Sequence, residues 1–246
     1  METHGRTIGT TTIAGTELSY IEDDPTIARR FESEWDEREL FERIKEASFD
    51  PSTYPASFWD VGACIGVHSS FASHYYDSVL AFEPVDVNVG SMIDNFSING
   101  NFDTIDIKHT ALADRKGAHT VEIRESTDAG YGRHSLAAEQ GKTNVLRTDT
   151  IDAKRGDDVA REQGVPNVVK IDVEGAEGVV LEGMRETLRS PECRHIFVET
   201  HAPNDDPNQP SYEDFGYTLG QITNLLMGAG FSIEHCGQPY LIYGQK

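Results

Sequence analysis

The sequence predicts an α/β domain whose mainly parallel sheet is covered by helices on both faces. The chain has 246 residues, a common length for one such domain. Short apolar segments alternate with segments of helical periodicity, without repeats or low-complexity linkers. A glycine-containing turn, WDVGACIG, follows an early apolar segment at a point where a strand would pass into a helix.

The elements are predicted from the spacing of apolar residues. An N-terminal cap, residues 1–54, holds two short strands over 10–22 and a helix over 25–48; residues 55–246 are the main domain, and the two form one structural unit. Core strands are predicted at 57–61, 78–83, 104–111, 167–173 and 195–200, with two final short strands at 231–236 and 240–244. Helices are predicted at 67–76, 85–98, 178–190 and 219–230, and an inserted β hairpin at 118–125 and 144–151.

The composition is strongly acidic. Asp and Glu number 42 against 21 Lys and Arg, a formal net charge of −21. The acids are dispersed rather than gathered in a tail, so we expect a folded acidic surface, as in halophilic proteins whose surrounding salt screens such charge. No basic stripe is present to neutralise phosphates, which excludes nucleic acid as a partner.

The expected location follows from the N-terminal residues and the cysteines. The sequence begins without the basic start and apolar run of a secretory signal, and no run of about eighteen apolar residues could span a membrane. Cys64, Cys193 and Cys236 form no CxxC pair, which predicts reduced thiols rather than a zinc site or disulfide framework. We therefore expect a soluble, cytoplasmic protein with no stable membrane insertion.

The turn WDVGACIG predicts a nucleotide-type cofactor site. Gly62 and Gly66 lack a Cβ, so the backbone can turn sharply and a ligand can come close, while the next helix offers free N–H groups. The following core strand ends in AFEP, which places Glu83 where an acid suits the two hydroxyls of a ribose. The two glycines alone would fit an ordinary turn equally well, but together with Glu83 they favour a cofactor.

The glycine spacing also distinguishes between cofactors. The segment is GxxxG rather than the GxGxxG of dinucleotide-binding proteins, and Asp60 lies where it would repel a pyrophosphate. S-adenosylmethionine has no phosphate, and its ammonium group could be held by Asp60 directly or through water. S-adenosylmethionine therefore fits better than NAD.

Five motifs follow one another within residues 55–243: WDVGACIG, AFEP, NFSINGNFDTIDIKHTALAD, RTDTIDA and, most distinctive, VVKIDVEGAEGVVLEGM. Together they resemble the FkbM-type methyltransferases. The resemblance implies the Rossmann-like class I methyltransferase fold, with a mainly parallel twisted sheet, helices on both faces and a final antiparallel strand. It also implies methyl transfer from S-adenosylmethionine, usually to an oxygen.

The resemblance implies roles for residues of the cofactor site. Cys64 departs from the family, which often has Asn there, so only the backbone role of this position is carried over. The methionine part of the cofactor would be held by Asp60, Gly62, Ala63 and Gly66. The ribose would be held by Glu83, and the adenine would lie beside Thr110 and Ala111.

Acidic residues after the fourth and fifth core strands predict the catalytic side of the site, because ligands bind at the carboxyl ends of parallel strands. Lys170, Asp172 and Glu174 would share one face of an extended strand. Asp172 is predicted to face the methyl site, whereas Lys170 fits a substrate role and a salt bridge equally well. Glu177 is interpreted as a charge favoured at a helix N-terminus. The predicted catalytic residues are Asp172, His201, Glu199 and Lys170.

Some of these assignments have alternatives. His201 could be a base near neutral pH or a surface residue. Asp172, Glu199 and His201 could bind Mg²⁺ or Mn²⁺ loosely, but their spacing is not a metal motif, so no residue is assigned as a metal ligand. Tyr131, His134 and Ser135 could line the acceptor pocket or form a surface connection.

Three functions compete. An O-methyltransferase leads, an NAD-dependent oxidoreductase is second, and a catalytically silent nucleotide-binding protein is third. The family is linked with hydroxyls on sugars, glycans, lipids and polyketides; for an acidic, archaeal-looking protein we expect a saccharide of a cell-surface glycan, such as a uronic acid. The sequence does not predict the oligomeric state.

Overall fold

The computed structural model describes residues 6–23, 25–32, 34–51, 55–124, 134–137, 145–203 and 209–246. The strands are β1 Ile8–Ile13, β2 Thr16–Ile21, β3 Ser57–Val61, β4 Ser78–Phe82, β5 Ile105–Lys108, β6 Ala111–Leu112, β7 Gly117–Arg124, β8 Ser135–Leu136, β9 Val145–Lys154, β10 Val168–Ile171, β11 His195–Glu199, β12 Ser232–Cys236 and β13 Gln238–Gln245. The helices are α1 Pro25–Glu32, α2 Glu34–Ser48, α3 Val67–Ala72, α4 Asp86–Asn99, α5 Gly156–Gln163, α6 Glu177–Gly183, α7 Arg185–Arg189 and α8 Leu219–Gly228. Within these ranges no helix is both long and apolar enough to cross a membrane.

Seven strands form the central sheet, in the order β12–β13–β11–β10–β3–β4–β5. The five strands from β11 to β5 are parallel, whereas β13 runs antiparallel to both β11 and β12. This arrangement confirms the predicted α/β fold and its final antiparallel strand. From β3 the chain winds towards β5, and from β10 it winds towards β13. The carboxyl ends of β3 and β10 therefore form the switch point at which a crevice opens in such sheets.

Alternating side chains of β3 pack against different helices. Phe58 belongs to a buried cluster that includes apolar residues of α2, α3 and α4. Trp59 and Val61 belong to a second cluster with residues of α5, α6, α7 and α8. The sheet is thus buried on both faces, as parallel sheets generally are. Asp60 is fully buried in the same strand, so the structure must compensate its charge.

The N-terminal segment covers the first of these faces. β1 and β2 form an antiparallel pair, and the rings of Tyr20 and Phe31 stack with centroids 5.1 Å apart. Ile44 on α2 shares the buried cluster with Phe58. The helix predicted over 25–48 is described as α1 and α2, with residue 33 between them outside the described residues. The domain boundary after residue 54 stays a prediction.

A second, four-stranded sheet has the order β6–β9–β7–β8. β7 and β9 pair antiparallel from Gly117 opposite Ala153 to Arg124 opposite Val145. These two strands are the predicted inserted hairpin, to which β6 and β8 add a strand on either side. The insertion lies beside the carboxyl end of β5, where it can form a wall of the crevice.

Gly62, directly after β3, gives the first testable prediction. Its φ is 81°, and a Cβ on it would lie 1.8 Å from the carbonyl oxygen of Asp172. Because Gly62→Ala combines left-handed strain with a backbone clash, we expect it to lower the free energy of unfolding by roughly 2–5 kcal/mol. Urea unfolding followed by circular dichroism measures the change.

The matched control is Gly90→Ala on the exposed surface of α4. A Cβ at Gly90 meets no atom within 4 Å, and its φ lies outside the left-handed range. We expect this variant to gain about 0.5–1 kcal/mol from the better helix propensity of Ala. A Gly62→Ala protein as stable as the wild type would contradict the packing described here.

Candidate active site

A cavity opens at the crevice between β3 and β10. It has about 1040 Å³ of empty space, counting the open region at its mouth. The turns after β3, β4 and β10, the helices α1 and α2, and the inserted sheet form its wall. The predicted residues that line it are Gly62, Ala63, Cys64, Glu83, Ala111, Lys170, Asp172, His134 and Ser135.

The turn after β3 is attached to the end of β4. The N–H groups of Gly62 and Ala63 both donate to the carbonyl oxygen of Phe82, at 3.0 and 2.9 Å. Cys64 has a φ of 52°, a left-handed conformation that is uncommon outside Gly, Asn and Asp. Burial raises the pKa of its thiol to about 12. Cys64 therefore contributes backbone shape rather than a reactive thiolate.

Glu83 connects this turn to the chain after β4. Its Oε2 accepts a hydrogen bond from the N–H of Cys64 at 2.9 Å, and its Oε1 accepts from the N–H of Val85 at 2.9 Å and from Asn88 Nδ2 at 3.3 Å. A carboxylate has about four lone-pair sites, so one site on Oε2 is left for a ligand. Burial raises the pKa of Glu83 to about 7, although these hydrogen bonds oppose the shift. The stability that Glu83 contributes in its protonated form is thus lost as the pH rises from about 4.5 through 7.

Two predicted cofactor residues lie behind the cavity wall. A Cβ on Gly66 would lie 2.6 Å from the ring of Phe96, so Gly66 permits close packing against α4. The Thr110 hydroxyl donates to the carbonyl oxygen of Asp152 on β9. Gly66 and Thr110 therefore shape the site from behind, whereas Ala111 lines it.

Asp60 also lies behind the wall, in a buried charge pair with Lys170. The two residues are direct neighbours in register on β3 and β10, and Lys170 Nζ lies 3.2 Å from Asp60 Oδ1. Asp60 Oδ2 accepts a hydrogen bond from Ser69 at 2.7 Å. Lys170 also donates to the carbonyl oxygen of Gly62 at 3.2 Å and lies 3.5 Å from Asp172 Oδ2. Burial would lower the pKa of Lys170, but the adjacent carboxylates outweigh burial and raise it.

The ends of β10 and β11 bring His201 among four carboxylates. His201 Nδ1 lies 2.6 Å from Glu177 Oε1. On the other side of the ring, Nε2 lies 3.5 Å from Glu174, 3.8 Å from Asp172 and 4.0 Å from Glu199. Glu177 is the first residue of α6, as expected of an acid at a helix N-terminus, and its Oε1 also accepts from the N–H of Gly175 at 2.9 Å.

Burial and mutual repulsion shift the pKa values in this cluster. Burial raises the pKa of Glu199 to about 8 and that of Glu174 to about 7, and the nearby charge of Asp172 acts in the same direction. Burial alone would lower the pKa of His201, but the hydrogen bond with Glu177 and the surrounding carboxylates raise it to about 10. His201 is therefore protonated near neutral pH in the free protein.

Several residues on the cavity were not predicted. Arg30 on α1 and Glu37 on α2 line it, and Glu37 lies 3.2 Å from His68 Nε2. Glu174, which the sequence placed on one strand face with Lys170 and Asp172 but to which no role was assigned, lines the cavity with a φ of 51°. Helical periodicity indicates which residues of α1 and α2 are apolar, but not which polar ones reach a distant strand end. Of the predicted acceptor residues, His134 and Ser135 line the cavity, and Tyr131 lies outside the described residues.

The fold and the crevice together define the class I methyltransferase architecture. A solved SAM-dependent methyltransferase from Agrobacterium tumefaciens superposes on this chain with a TM-score of 0.51 at 9% sequence identity. The superposition covers 96% of this chain and 69% of that chain. At this identity, the likeness is one of fold alone.

The chain belongs to the FkbM methyltransferase family, because the profile described as Methyltransferase FkbM domain matches residues 60–237. It is also 33% identical over 184 residues to the hexuronic acid methyltransferase AglP of Haloferax volcanii. That alignment covers 72% of this chain and 63% of the relative, so the chain spans less than two thirds of the relative's length.

The pair of Asp60 and Lys170 gives the second testable prediction. Lys170 is 3% exposed and Asp60 is fully buried, so Lys170→Met would leave a buried carboxylate without its cation. We expect a loss of about 3–5 kcal/mol in the free energy of unfolding, measured by urea titration.

The control is a double-mutant cycle with Asp60→Asn. If the cost comes from the uncompensated charge, Asp60→Asn/Lys170→Met should be less destabilised than the sum of the two single variants. Strict additivity would mean that the two groups do not stabilise each other.

Proposed function

We propose that this protein is an S-adenosylmethionine-dependent O-methyltransferase that acts on a hydroxyl of an acidic sugar or glycan. The observation that carries the proposal is a single cavity bounded on one side by the Gly62 turn with Glu83 and on the other by the carboxylate of Asp172. The first side suits a nucleoside cofactor, and the second suits an acceptor hydroxyl. Family membership supports methyl transfer as the reaction.

The cofactor side fits S-adenosylmethionine in shape and in chemistry. The turn from Gly62 to Cys64 lines the cavity. Glu83 has one acceptor site left for a ribose hydroxyl. Ala111 and Leu112 supply an apolar wall against which the adenine ring could pack. No phosphate-binding feature is needed, because the cofactor has none. Since Asp60 is fully buried and paired, we assign it to holding the turn rather than to direct contact with the ammonium group.

When bound, S-adenosylmethionine supplies a methyl group on a positively charged sulfur that leaves as a neutral thioether. We propose that Asp172 orients the acceptor hydroxyl and accepts its proton as the oxygen forms its bond to the methyl carbon. The bound cofactor would supply that methyl carbon, and the electron pair of its carbon–sulfur bond would stay on sulfur. Most of the acceleration would come from holding the oxygen in line with that bond.

Asp172 is preferred over the other predicted catalytic residues for physical reasons. Its side chain is 26% exposed and lines the cavity. His201 is protonated near neutral pH, and Lys170 has a raised pKa, so neither is a ready base. Lys170 positions Asp172 through their contact at 3.5 Å. Glu199 lies behind Asp172 in the carboxylate cluster and would act through it.

The acceptor class is inferred from the relative and from the charges on the cavity. The relative is named a hexuronic acid methyltransferase, which supports a uronic acid as acceptor. Acidic lining residues such as Asp172 and Glu174 would repel a carboxylate, but Arg30 on the same wall, which also interacts with these acids, could attract one. A saccharide could place its carboxylate near Arg30 and its hydroxyl near Asp172, and so interact with both residues.

The alternatives predict different ligands. An NAD-dependent oxidoreductase would need a place for a pyrophosphate, and the GxxxG turn beside Glu83 does not favour one. A silent nucleotide-binding protein would bind S-adenosylhomocysteine without methylating any acceptor. Calorimetry with S-adenosylhomocysteine and NADH distinguishes the proposed methyltransferase from an NAD-dependent oxidoreductase. An assay of methyl transfer to uronic-acid oligosaccharides distinguishes it from a silent nucleotide-binding protein.

Glu83 gives the third testable prediction. A ribose hydroxyl that donates to Glu83 favours the ionised carboxylate, so affinity for S-adenosylhomocysteine should rise as the pH rises from 6 to 8 through the pKa of about 7. Glu83→Gln should weaken binding at pH 8 by roughly 1.5–3 kcal/mol and remove most of this pH dependence. Isothermal titration calorimetry measures both effects.

The matched control is Glu162→Gln. Glu162 is an exposed acid on α5, a helix that contributes no residue to the cavity wall. It should leave affinity and pH dependence unchanged. Equal affinity for S-adenosylhomocysteine in wild type and Glu83→Gln at pH 8 would mean that Glu83 does not contact the cofactor. Binding of NADH in place of S-adenosylhomocysteine would overturn the proposed cofactor.

Asp172 gives the fourth testable prediction. Asp172→Asn keeps the shape of the side chain but cannot accept a proton, so turnover should fall by about a hundredfold or more. Affinity for S-adenosylhomocysteine should stay within a few-fold. The assay follows tritium from labelled S-adenosylmethionine into glucuronate- and galacturonate-containing oligosaccharides.

The companion variant is Asp103→Asn, at an exposed position outside the cavity wall. It should retain full turnover. If Asp172→Asn is as active as Asp103→Asn, the proton acceptor has been assigned to the wrong residue.

A further inference from the structure

We propose that Asp172, Glu199 and His201 form a binding site for one divalent cation, with Mn²⁺ as the best match, at the inner edge of the cavity. The inference deepens the proposed function, because a cation there would contact the acceptor. It stands on the positions of the three side chains and needs no knowledge of the acceptor.

The three side chains come from neighbouring strand ends. Asp172 directly follows β10, Glu199 ends β11, and His201 lies two residues beyond it. One ligand atom from each lies within 4.8 Å of the other two. With bonds of about 2.1 Å, two ligands on opposite sides of a small divalent ion are about 4.2 Å apart and two adjacent ligands about 3.0 Å apart, so the three side chains would move together by up to about 1 Å to close the set.

The orientation of His201 is the second observation that points to a ligand. The residue is 92% buried, and Glu177 holds its Nδ1 at 2.6 Å. Its Nε2 makes no hydrogen bond with any described residue and is directed towards Asp172, Glu174 and Glu199, at 3.5–4.0 Å. A histidine whose Nδ1–H donates to a carboxylate while Nε2 faces oxygen ligands is the arrangement found in carboxylate–histidine–metal sites.

The surrounding charge favours a cation. Glu174 Oε2 is buried and has no hydrogen-bond partner in the described structure. Lys170 contacts Asp172 through Oδ2 and is shared with Asp60, whereas Asp172 Oδ1 faces His201. Asp172, Glu174 and Glu199 therefore concentrate acid around His201, and the cations that offset them are shared with further acids, Lys170 with Asp60, Arg30 with Glu37 and His201 with Glu177. A divalent ion that replaced the Nε2 proton of His201 would reduce their repulsion.

The ligand set also restricts the cation and the acceptor. Two carboxylates and one imidazole suit Mn²⁺ better than Mg²⁺, which prefers oxygen ligands, and leave positions open for other ligands. Asp172 and Glu174 line the cavity, so those positions would face it. An acceptor with two neighbouring oxygens, such as a vicinal diol or a hydroxy acid, could fill two of them. This narrows the acceptor class to chelating saccharides.

The test uses the full chain and Mn²⁺ alone. Electron paramagnetic resonance of free Mn²⁺ should show one saturable site per chain, and pulsed measurements of the bound ion should show coupling to an imidazole ¹⁴N. The ¹⁴N signal needs no variant, so it tests the site even if a substitution prevents folding. A saturable site without ¹⁴N coupling would overturn the proposal.

Variants test each ligand. Asp172→Asn, Glu199→Gln and His201→Gln should each weaken Mn²⁺ binding at least tenfold, and His201→Gln should abolish the ¹⁴N coupling. Glu177→Gln, which alters only the group that orients His201, should weaken binding about 10–100-fold. Unchanged affinity in both Glu199→Gln and His201→Gln would overturn the site.

A variant in a second cluster of acidic residues controls for non-specific binding of Mn²⁺. Glu39, Glu42 and Glu46 lie together with Arg38 and Arg43 on an exposed part of the surface. Glu42→Gln should leave the single Mn²⁺ site unchanged. If Glu42→Gln weakens binding as much as Glu199→Gln does, Mn²⁺ responds to the overall negative charge and the proposed site is wrong.

Affinity for S-adenosylhomocysteine, measured on the same wild-type sample, separates this inference from the proposed function. Mn²⁺ binding with ¹⁴N coupling but without S-adenosylhomocysteine binding would support the cation site and contradict the proposed reaction. S-adenosylhomocysteine binding without a saturable Mn²⁺ site would leave the proposed reaction intact and overturn the cation site.

Discussion

The buried ammonium group of Lys170 is the interaction on which the rest of the site depends. It lies on β10 and contacts Asp60 on β3, the carbonyl oxygen of Gly62 in the turn after β3, and Asp172 directly after β10. One cation thus fixes two adjacent strand ends, and with them the two halves of the cavity. Because Lys170 is almost fully buried, its contacts cannot be replaced by water, so the strand ends must stay in register for its charge to be compensated.

The close approach of Gly62 to the backbone of Asp172 also holds the ends of β3 and β10 together. The carbonyl oxygen of Asp172 occupies the space where a Cβ of residue 62 would be, so the turn after β3 lies directly against the turn after β10. A ligand that contacts the first turn would therefore also lie close to the turn that carries Asp172. Pre-organisation of this kind is what methyl transfer requires, because the acceptor oxygen must lie in line with the bond that breaks.

The central part of the fold could be predicted from the sequence because its signals are local and strong. The strands around Trp59, Leu80 and Val169 have short apolar runs, and the turn after Asp60 has glycines at a recognisable spacing. α5 was not predicted, since Gly156–Gln163 is short and mostly polar, with few apolar residues to show a period. The inserted sheet was predicted only as a hairpin, because two-residue strands such as Ser135–Leu136 leave almost no pattern.

The candidate site could be predicted only in part, because its geometry depends on long-range contacts. Glu83, Asp172 and His201 were predicted from their positions at strand ends. The sequence predicted that Asp60 holds the cofactor directly or through water. The structure buries Asp60 against its register partner Lys170, and this register is not visible in a motif. Arg30 could not be predicted, since it reaches the cavity from a helix of the N-terminal cap. The halophilic character suggested by the acidic composition, like the cytoplasmic location, stays a prediction.

The two ends of the cavity differ in the number of acidic groups that they hold, and this difference supports an order in which cofactor and acceptor bind. Glu83 is a single buried acid whose remaining acceptor site can be filled by a neutral hydroxyl. The cluster around His201 instead concentrates acids that repel one another, and Glu177 holds the imidazole from behind. Such a cluster becomes more favourable when positive charge arrives, either on the bound cofactor's sulfur or on a cation beside Asp172. Filling the cofactor side would therefore reduce the repulsion in the cluster around His201, which favours binding of the methyl donor before the acceptor.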